Sequence, residues 1–309
     1  MRTPTQTICE TESAFGLPLP GDCLRIGGVA ASLRCVSSND FCVSHELEWF
    51  LEIAPNQDIE INVDWVDRLG AWPGDKAFNS GGLWSLFHDG RDCVFDFVSP
   101  VLGTDPYKRM ITSGGFRTAH IAVNRNAFAG QATVCPLEYP ADELLFTNYL
   151  AHHALGAEVH GCGIIDPEHG GFLFLGHSGA GKSTTTRLWK SARNPEILSD
   201  DRVILRIHDG ELWMYGTPWH GEAAFASPAK SRINRIFILQ HGEANAMAEL
   251  PRARAVGELF ARCFPPFHSA EGLSNTLEFL HRVVNLVPCH EFHFVPNVSA
   301  VEAALAFRS

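Results

Sequence analysis

A glycine-rich run that directly follows a short apolar segment constrains the fold more than any other part of this 309-residue chain. The apolar segment is FLFLG at 172–176, and the run that continues from it is GHSGAGKST at 176–184. A short apolar run bounded by turn residues predicts a buried strand. The glycines of the run allow a tight loop, and residues 183–192 predict a helix. The sequence therefore predicts a strand, a loop and a helix in succession, which is typical of α/β and α+β proteins.

The first eight residues of the run match the pattern G-x-x-x-x-G-K-[ST], and each part of this pattern suits phosphate binding. Glycines let backbone N–H groups approach phosphate oxygens closely. Lys182 brings a positive charge, the hydroxyl of Ser183 can ligate Mg²⁺, and the helix start adds its positive dipole end. The residues predicted to bind the nucleotide are Gly176, Ser178, Gly179, Ala180, Gly181, Lys182, Ser183 and Thr184. The alternative interpretation is a flexible glycine turn that binds nothing.

Two adjacent acids follow the predicted helix, at the end of the apolar run ILSDD at 197–201. Apolar residues that end in carboxylates are typical of the strand that presents acids to Mg²⁺ and to the attacking nucleophile. Successive strand residues point to opposite faces, so both carboxylates reach one site only at a bend or strand end. We predict that Asp201, Asp200 and Lys182 form the catalytic set, with Asp201 as the base, and that Asp200 also ligates Mg²⁺. The alternative is a solvated turn ahead of the strand expected at 202–207.

Other polar residues near these motifs are weaker candidates. The loop GTPWHGE at 216–222 contains Glu222, which we predict as a further Mg²⁺ ligand, and His220; the alternative is an ordinary surface turn. His160 either lines the nucleotide or acceptor pocket or is a core histidine bonded to backbone. A stretch of basic residues either contacts phosphate or is solvated. Its members are Lys230, Arg232 and Arg235.

The composition narrows the classes of partner. Hydrophobic residues make up 45% and charged residues 19% of the chain, which is typical of a globular protein. The net charge of −11 argues against nucleic acid or an anionic membrane as the main partner. The amino-terminal sequence MRTPTQTICETES has no apolar run typical of a secretion signal, and no later stretch approaches the length of a membrane span. Nine cysteines without a C-x-x-C pair are expected to be reduced thiols. We therefore expect a cytoplasmic protein.

The chain is expected to have two parts. Roughly the first 135 residues are predicted to be mostly β, since residues 59–65 alternate apolar and polar side chains and an Asp-Gly pair joins apolar runs at 83–87 and 93–97. Helices and strands are then expected together. The predicted helices lie at 142–154, 253–264, 272–287 and 301–307, and the predicted strands at 158–166, 236–239 and 289–296. We divide the chain into a β-rich region of open role at 1–138 and a nucleotide-binding domain at 139–309.

The order of strand, GHSGAGKST, helix and LSDDRVIL resembles the C-terminal catalytic domain of HPr kinase/phosphorylase. The longer stretch at 139–296, with GTPWHGE at 216–222, is similar to HPr kinase-like proteins found alongside peptide-modification genes. This resemblance implies a phosphoenolpyruvate carboxykinase-like nucleotide-binding fold for residues 139–309. It also implies that the glycine-rich loop holds ATP and Mg²⁺. Of Asp200 and Asp201, it implies that one accepts the proton of an acceptor serine and the other helps to organise the metal.

The function that the sequence favours is Mg·ATP-dependent transfer of the γ-phosphoryl group to a hydroxyl, such as a Ser or Thr of a small protein or peptide. Two alternatives stay open: a nucleotide-binding or ATPase regulatory module without phosphotransfer, and a carboxykinase-like enzyme that acts on a small acid. The identity of the acceptor, the use of GTP or pyrophosphate as donor, and the reverse reaction are left open too. An oligomer is compatible with the sequence.

Overall fold

The computed structural model describes residues 22–35, 40–131 and 133–307. These residues form a mixed α/β structure with two large sheets and six α-helices. The predicted mixture of helices and strands is therefore confirmed. Cys9 lies outside the described residues, and no disulfide joins the cysteines within them.

The chain separates into two compact units. The first contains the described residues up to Leu24 together with Ala30–Asp142, and the second contains Arg25–Val29 together with the chain from Glu143 onward. The sequence-based boundary between residues 138 and 139 stays a prediction, because the compactness of a unit does not test whether it folds or acts alone.

The first sheet has nine strands, and the predicted β-rich character of this region is confirmed. The strand predicted at 59–65 is present with Ile59, Ile61 and Val63 buried, and the Asp-Gly pair forms the predicted hairpin. In chain order the strands are β1 (Asp22–Ile26), β2 (Val29–Cys35), β3 (Leu51–Ile53), β4 (Ile59–Val66), β5 (Phe78–Asn79), β6 (Trp84–Asp89), β7 (Asp92–Phe97), β8 (Lys108–Thr112) and β9 (Thr118–Asn124). A short helix, α1 (His45–Glu48), lies between β2 and β3. The order of strands in the sheet is β3-β1-β2-β4-β9-β8-β7-β6-β5.

The second sheet has eight strands and is accompanied by five helices. The strands are β10 (Gly156–Asp166), β11 (Gly170–Leu175), β12 (Glu196–Ser199), β13 (Arg202–His208), β14 (Glu211–Tyr215), β15 (Lys230–His241), β16 (Ala246–Glu249) and β17 (Cys289–Phe294). The helices are α2 (Ala141–His152), α3 (Lys182–Arg193), α4 (Arg252–Phe260), α5 (Ala270–Leu286) and α6 (Ser299–Ala306). Within the described ranges, no helix combines the length and the apolar character needed to cross a membrane.

Helix α4 ends earlier than the sequence pattern predicts. The predicted helix runs to residue 264, but α4 stops at Phe260. Phe264 directly precedes Pro265, and the residue before a proline is disfavoured in the helical region. Instead of continuing the helix, residues 262–264 form hydrogen bonds with β10.

Strand β10 changes partners halfway along its length. Residues Gly156 to His160 pair with β13, whereas Gly161 to Asp166 pair with β11. The pairings of β11, β10, β13, β14 and β15 close into a ring, because β15 also pairs with β11. His160 is therefore the last residue of β10 that faces β13.

Strands β11, β15 and β17 are parallel neighbours. The carboxyl ends of parallel strands meet at one edge of a sheet, where α/β proteins bind ligands. The glycine-rich run follows β11 directly and therefore lies at this edge. His241 at the end of β15 lies there too, with its Nε2 2.9 Å from the carbonyl oxygen of Gly179.

Two apolar clusters cover opposite faces of the second sheet. Alternate residues of β11 divide between them: Leu173 and Leu175 pack with α4 and α5, whereas Phe172 and Phe174 pack with α3 and α6. The ring of Trp189 in α3 lies 4.9 Å from that of Phe172. Since burial of a large apolar side chain contributes about 1.5–3 kcal/mol, this packing fixes α3 against β11. The same packing fixes the position of the loop between β11 and α3.

Asp166 joins the turn between β10 and β11 to the end of α3. Its Oδ1 accepts the backbone N–H groups of Glu168 and His169, both at 3.0 Å, and its Oδ2 accepts from Nε of Arg193 at 3.1 Å. Burial alone raises the pKa of this carboxyl. The hydrogen bonds from Arg193, His169 and the backbone outweigh burial and lower the pKa from 3.8 to about 2.

We expect Asp166→Asn to lower the free energy of unfolding by about 1–3 kcal/mol at neutral pH, because hydrogen bonds to a charged group are lost. A carboxyl whose pKa is lowered by folding stabilises the protein above its ordinary pKa, and this contribution disappears as the pH falls through the folded value. The difference between wild type and variant should therefore narrow as the pH falls from 3.8 towards about 2. Urea unfolding measured across this range checks the prediction.

The matched control is Glu168→Gln, which removes an exposed charge beside Arg193 and should change the unfolding free energy by less than about 0.5 kcal/mol. A stability difference for Asp166→Asn that stays constant at every pH would contradict the assignment.

Candidate active site

The glycine-rich loop wraps around the ammonium group of Lys182. This residue begins α3 and is only 6% exposed. Its Nζ donates hydrogen bonds to the carbonyl oxygens of Gly176 at 3.0 Å and His177 at 3.3 Å. Burial lowers the pKa of Lys182, and the negative charges of Asp201 and Asp200 oppose that change. A buried positive charge at the start of the helix therefore faces both of the predicted acids.

Two glycines give the loop its shape. Gly179 and Gly181 have φ values of 80° and 101°, in the left-handed region that side chains rarely adopt. The N–H of Thr185 donates to the carbonyl oxygen of Gly181 at 2.8 Å, which is the first hydrogen bond of α3. A Cβ atom at Gly181 would lie 2.4 Å from Cζ of Phe294, whereas one at Gly179 would meet nothing within 4 Å. Gly181 is therefore required by both conformation and space, and Gly179 by conformation alone.

The bend predicted at the two adjacent acids is present. Strand β12 ends at Ser199 and β13 begins at Arg202. Between them, the hydroxyl of Ser199 accepts the N–H groups of Asp201 at 3.2 Å and Arg202 at 3.1 Å. This side-chain cap turns the chain so that Asp200 and Asp201 both interact electrostatically with Lys182.

Asp200 is buried and anchors the loop that contains Glu222. Its Oδ1 accepts the N–H groups of Gly221 at 3.0 Å and Phe225 at 3.3 Å, and its Oδ2 accepts that of Ala223 at 2.9 Å. A carboxylate has about four acceptor positions, so three backbone amides use most of them. The side chain of Glu222, which lies between two of these amides, is exposed.

Asp201 has a different set of partners. Its Oδ1 lies 2.9 Å from Nε2 of His160, and its Oδ2 lies 3.4 Å from Nε of Arg202. Burial raises the pKa of Asp201. The hydrogen bond from His160 and the positive charges of His160, Arg202 and Lys182 outweigh burial, so that the pKa is lowered overall. Asp201 is therefore held as a carboxylate beside the loop lysine.

Strand pairing brings the polar side chains of the site to one face. His160 of β10 is paired with Arg202 of β13, and Glu158 lies two residues earlier on the same face of β10. On the other side of β10, the N–H of His160 donates to the carbonyl oxygen of Arg262 at 2.6 Å, and the N–H of Phe264 donates to that of Glu158 at 3.0 Å. Residues directly opposite on antiparallel segments share a face, so these side chains converge.

Arg262 is a site residue that the sequence analysis missed. It is 3% exposed, and its Nη1 donates to Oε2 of Glu258 at 2.5 Å. Its Nε is buried with no hydrogen-bond partner among the described residues. The charge of Arg262 is the largest cause of the lowered pKa of His177, and it also lowers the pKa of Lys182. Because Arg262 reaches the loop only through pairing between β10 and a distant segment, no local motif indicates it.

Arg202 connects Asp201 to a pair of buried acids that the sequence analysis also missed. Its Nη1 donates to Oε1 of Glu143, in α2, and to Oε1 of Glu158 at 3.2 Å. The ring of Phe264 covers the guanidinium group, with 4.1 Å between Cζ of Arg202 and the ring centroid. The side chain of Arg202 is therefore fixed on three sides.

The remaining predicted residues are placed as follows. Ser183 and Thr184 lie in the first turn of α3 and are half-buried, and Ser178 in the loop is exposed. The gap between Gly176 and Ala180 is narrow, since a Cβ atom at Gly176 would lie 2.6 Å from Cβ of Ala180. The loop, Lys182 and the two acids are brought together. Glu222 lies between Gly221 and Ala223, whose N–H groups donate to Asp200, and it is exposed.

The basic stretch at 230–235 is not brought to the loop. Lys230 lies over the rings of Trp213 and Tyr215 in β14. Arg232 forms an ion pair with Glu211 in β14. Arg235 covers the ring of Phe172 near the amino end of β11, the opposite end from the loop. These positions do not support the interpretation that the basic stretch contacts phosphate at the loop.

Comparisons with known proteins find matches among solved structures. No protein-family model matches the sequence, and no curated protein matches it. Among solved structures, the Hpr(Ser) kinase/phosphatase from Coxiella burnetii matches 48% of this chain and 92% of its own, with 11% sequence identity and a TM-score of 0.28. A likeness at this TM-score does not show a function.

We expect Gly181→Ala to lower the free energy of unfolding by about 2–4 kcal/mol, because a Cβ atom adds both left-handed backbone strain and a collision with Phe294. The matched control is Gly179→Ala, which adds only the strain and should lower it by about 1–2 kcal/mol. Chemical unfolding of both variants checks the difference. Equal losses would mean that Phe294 yields and that the loop is not tightly packed.

Proposed function

We propose that this protein is an Mg·ATP-dependent phosphotransferase that moves the γ-phosphoryl group to a hydroxyl. The observation that carries the proposal is the position of Lys182, buried in the glycine-rich loop and facing the carboxylate of Asp201. A cation for the β and γ phosphates and a base for the incoming hydroxyl are thus adjacent. The resemblance of the loop and the two acids to HPr kinases, and to a phosphoenolpyruvate carboxykinase-like fold, agrees with it.

The loop supports nucleotide binding through its backbone. Successive amides around Gly179 and Gly181 lie in a turn with positive φ, which is the kind of concavity that binds anions. The start of α3 adds its positive dipole end. Nζ of Lys182 donates to the carbonyl oxygens of Gly176 and His177, which orients the ammonium group within the loop.

Asp201 is the proposed base. Its lowered pKa keeps it ionised at neutral pH, and His160 orients the carboxylate through a 2.9 Å hydrogen bond. A carboxylate of low basicity is sufficient when the transition state is loose, because little proton transfer is needed early in the reaction. The buried charge of Arg262 acts electrostatically on Lys182, which supports a role for both cations in stabilising negative charge on the transferred group.

Oxygen ligands suited to Mg²⁺ are present at the site. Mg²⁺ is usually held in proteins by one or two carboxylates together with water and phosphate oxygens. Asp200 and the hydroxyl of Ser183 have this chemistry, and Asp200 interacts with the charge of Lys182. When bound, the ion would neutralise charge on the phosphates. The exposed side chain of Glu222 is a further candidate ligand, as the sequence predicts.

The proposed acceptor is the hydroxyl of a Ser or Thr in a small protein or peptide. Among the sequence-based alternatives, hydrolysis without an acceptor predicts ADP formation that no added peptide accelerates. A carboxykinase-like reaction predicts dependence on a small acid instead. Labelled γ-phosphate from ATP, offered with peptides encoded beside the gene, with water alone or with small acids, distinguishes the three.

We expect Lys182→Ala to weaken binding of Mg·ATP by about 10–100-fold, because hydrogen bonds from a charged group to phosphate are lost. The matched control is Lys190→Ala in the same helix, at an exposed position, which should leave the affinity within about twofold. Isothermal titration calorimetry measures both. Unchanged affinity for Lys182→Ala would remove the nucleotide site from the proposal.

We expect Asp201→Asn to lower kcat for acceptor phosphorylation by roughly 10²–10⁴-fold, the usual contribution of a general base. The affinity for Mg·ATP should change little, because Asp201 acts on the acceptor. Single-turnover transfer of labelled phosphate gives the rate, and calorimetry gives the affinity. Wild-type turnover in this variant would show that another group is the base.

A further inference from the structure

His241, the last residue of β15, forms a hydrogen bond with the glycine-rich loop. Its side chain is exposed, and its Nε2 lies 2.9 Å from the carbonyl oxygen of Gly179. A carbonyl oxygen can only accept a hydrogen bond, so Nε2 of His241 carries the hydrogen and donates it. The bond joins residues 62 positions apart in the chain and attaches the loop to the end of β15.

Gly179 is the third residue of a tight turn within the loop. The N–H of Ala180 donates to the carbonyl oxygen of His177 at 3.0 Å, and Gly179 has a φ value of 80°. A four-residue turn with a positive φ at its third position favours glycine there. The N–H and the carbonyl group of one trans peptide unit point in opposite directions. The peptide unit between Gly179 and Ala180 is therefore bound at both ends, to His177 within the turn and to His241 outside it.

The two left-handed glycines of the loop are fixed in different ways. A Cβ atom at Gly181 would lie 2.4 Å from Cζ of Phe294, so the backbone there is packed against a ring. A Cβ atom at Gly179 would have no described residue within 4 Å. Packing therefore contributes little at Gly179, and the hydrogen bond from His241 is the contact that fixes the loop there.

The ring of His241 is itself oriented by strand pairing. His241 is paired with Phe294 of β17, and the N–H of Gly242 donates to the carbonyl oxygen of Phe294 at 3.1 Å. The two rings are stacked, with 5.7 Å between their centroids and an angle of 28° between their planes. One buried ring thus packs against Gly181 and also orients the histidine that binds Gly179.

We propose that His241 is a positioning residue that anchors the turn at 177–180 to the end of β15 and so holds the loop in its phosphate-binding shape. This inference rests on the proposed function, since it assumes that the loop binds the phosphates of a nucleotide. Anion-binding loops use backbone N–H groups that already point inward. A loop that has this shape for only part of the time binds its ligand correspondingly more weakly. His241 acts on the loop and not on the nucleotide itself.

Two substitutions separate the hydrogen bond of His241 from its ring. His241→Phe keeps an aromatic ring beside Phe294 but has no donor, so the affinity for Mg·ATP should fall about 3–10-fold, the effect of one lost hydrogen bond. His241→Gln loses the ring but keeps an N–H donor of similar reach, so the affinity should stay within about twofold of wild type. The matched control is His293→Phe, at an exposed position of the neighbouring strand β17, which should leave the affinity unchanged.

Isothermal titration calorimetry with Mg·ATP, and with magnesium and inorganic triphosphate, measures these affinities. Because the anchor acts on the phosphate-binding shape of the loop, His241→Phe should weaken both ligands by the same factor. Unchanged affinity in His241→Phe, or an affinity in His241→Gln as low as in His241→Phe, would overturn the inference. A loss for ATP alone would show that His241 contacts the nucleoside, and would overturn it too.

Hydrogen exchange of the Ala180 amide, measured by NMR without nucleotide, tests the anchor independently of ligand binding. This N–H closes the turn, so its exchange should be about 3–10-fold faster in His241→Phe and close to wild type in His241→Gln. Unchanged exchange in His241→Phe would overturn the anchoring role, even if phosphotransfer is confirmed. Faster exchange in His241→Phe, together with no binding of Mg·ATP by wild type, would keep the anchor and remove the proposed function.

Discussion

The site depends on the neutralisation of three largely buried positive charges by nearby carboxylates. Lys182 and Arg262 are 6% and 3% exposed, and Arg202 lies beneath the ring of Phe264. Desolvation of an ion costs several kcal/mol unless a partner of opposite charge is close. Each cation has such a partner: Asp201 acts on Lys182, Glu258 pairs with Arg262, and Glu158 accepts from Arg202. The acids and cations of the proposed active site therefore compensate for one another's burial.

The pairing of strands brings these charged side chains close to one another. The side chains of Glu158 and His160 lie on one face of β10, and Arg202 of β13 is paired directly opposite His160. The segment after α4 adds Arg262 and Phe264 along the other side of β10. Three stretches that are far apart in sequence thus supply the side chains of one surface. The loop after β11 meets this surface because β10 and β11 are neighbours.

The sequence predicts the parts of this site that are local in the chain. The loop at 176–184, the bend at Asp200 and Asp201, and the strand and helix beside the loop all follow from residue type and spacing. Arg262 and the pair of Glu143 and Glu158 do not, because their roles come from pairing between distant segments. A buried glutamate at 158 has the same local pattern as a solvated one at a strand edge. Only its cross-strand neighbours show that it contacts Arg202.

The two adjacent acids illustrate how environment divides roles between identical side chains. Asp200 is fixed by three backbone amides, which cannot rotate away, and so it is suited to anchoring the loop at 221–225 while offering a remaining lone pair to a cation. Asp201 is instead contacted by side chains: Arg202, which is fixed by Glu158 and Phe264, and His160, whose ring can rotate without moving the backbone. A base must exchange one of its partners for the acceptor hydroxyl during the reaction. Of the two, only Asp201 has partners that can be exchanged without unfolding a loop.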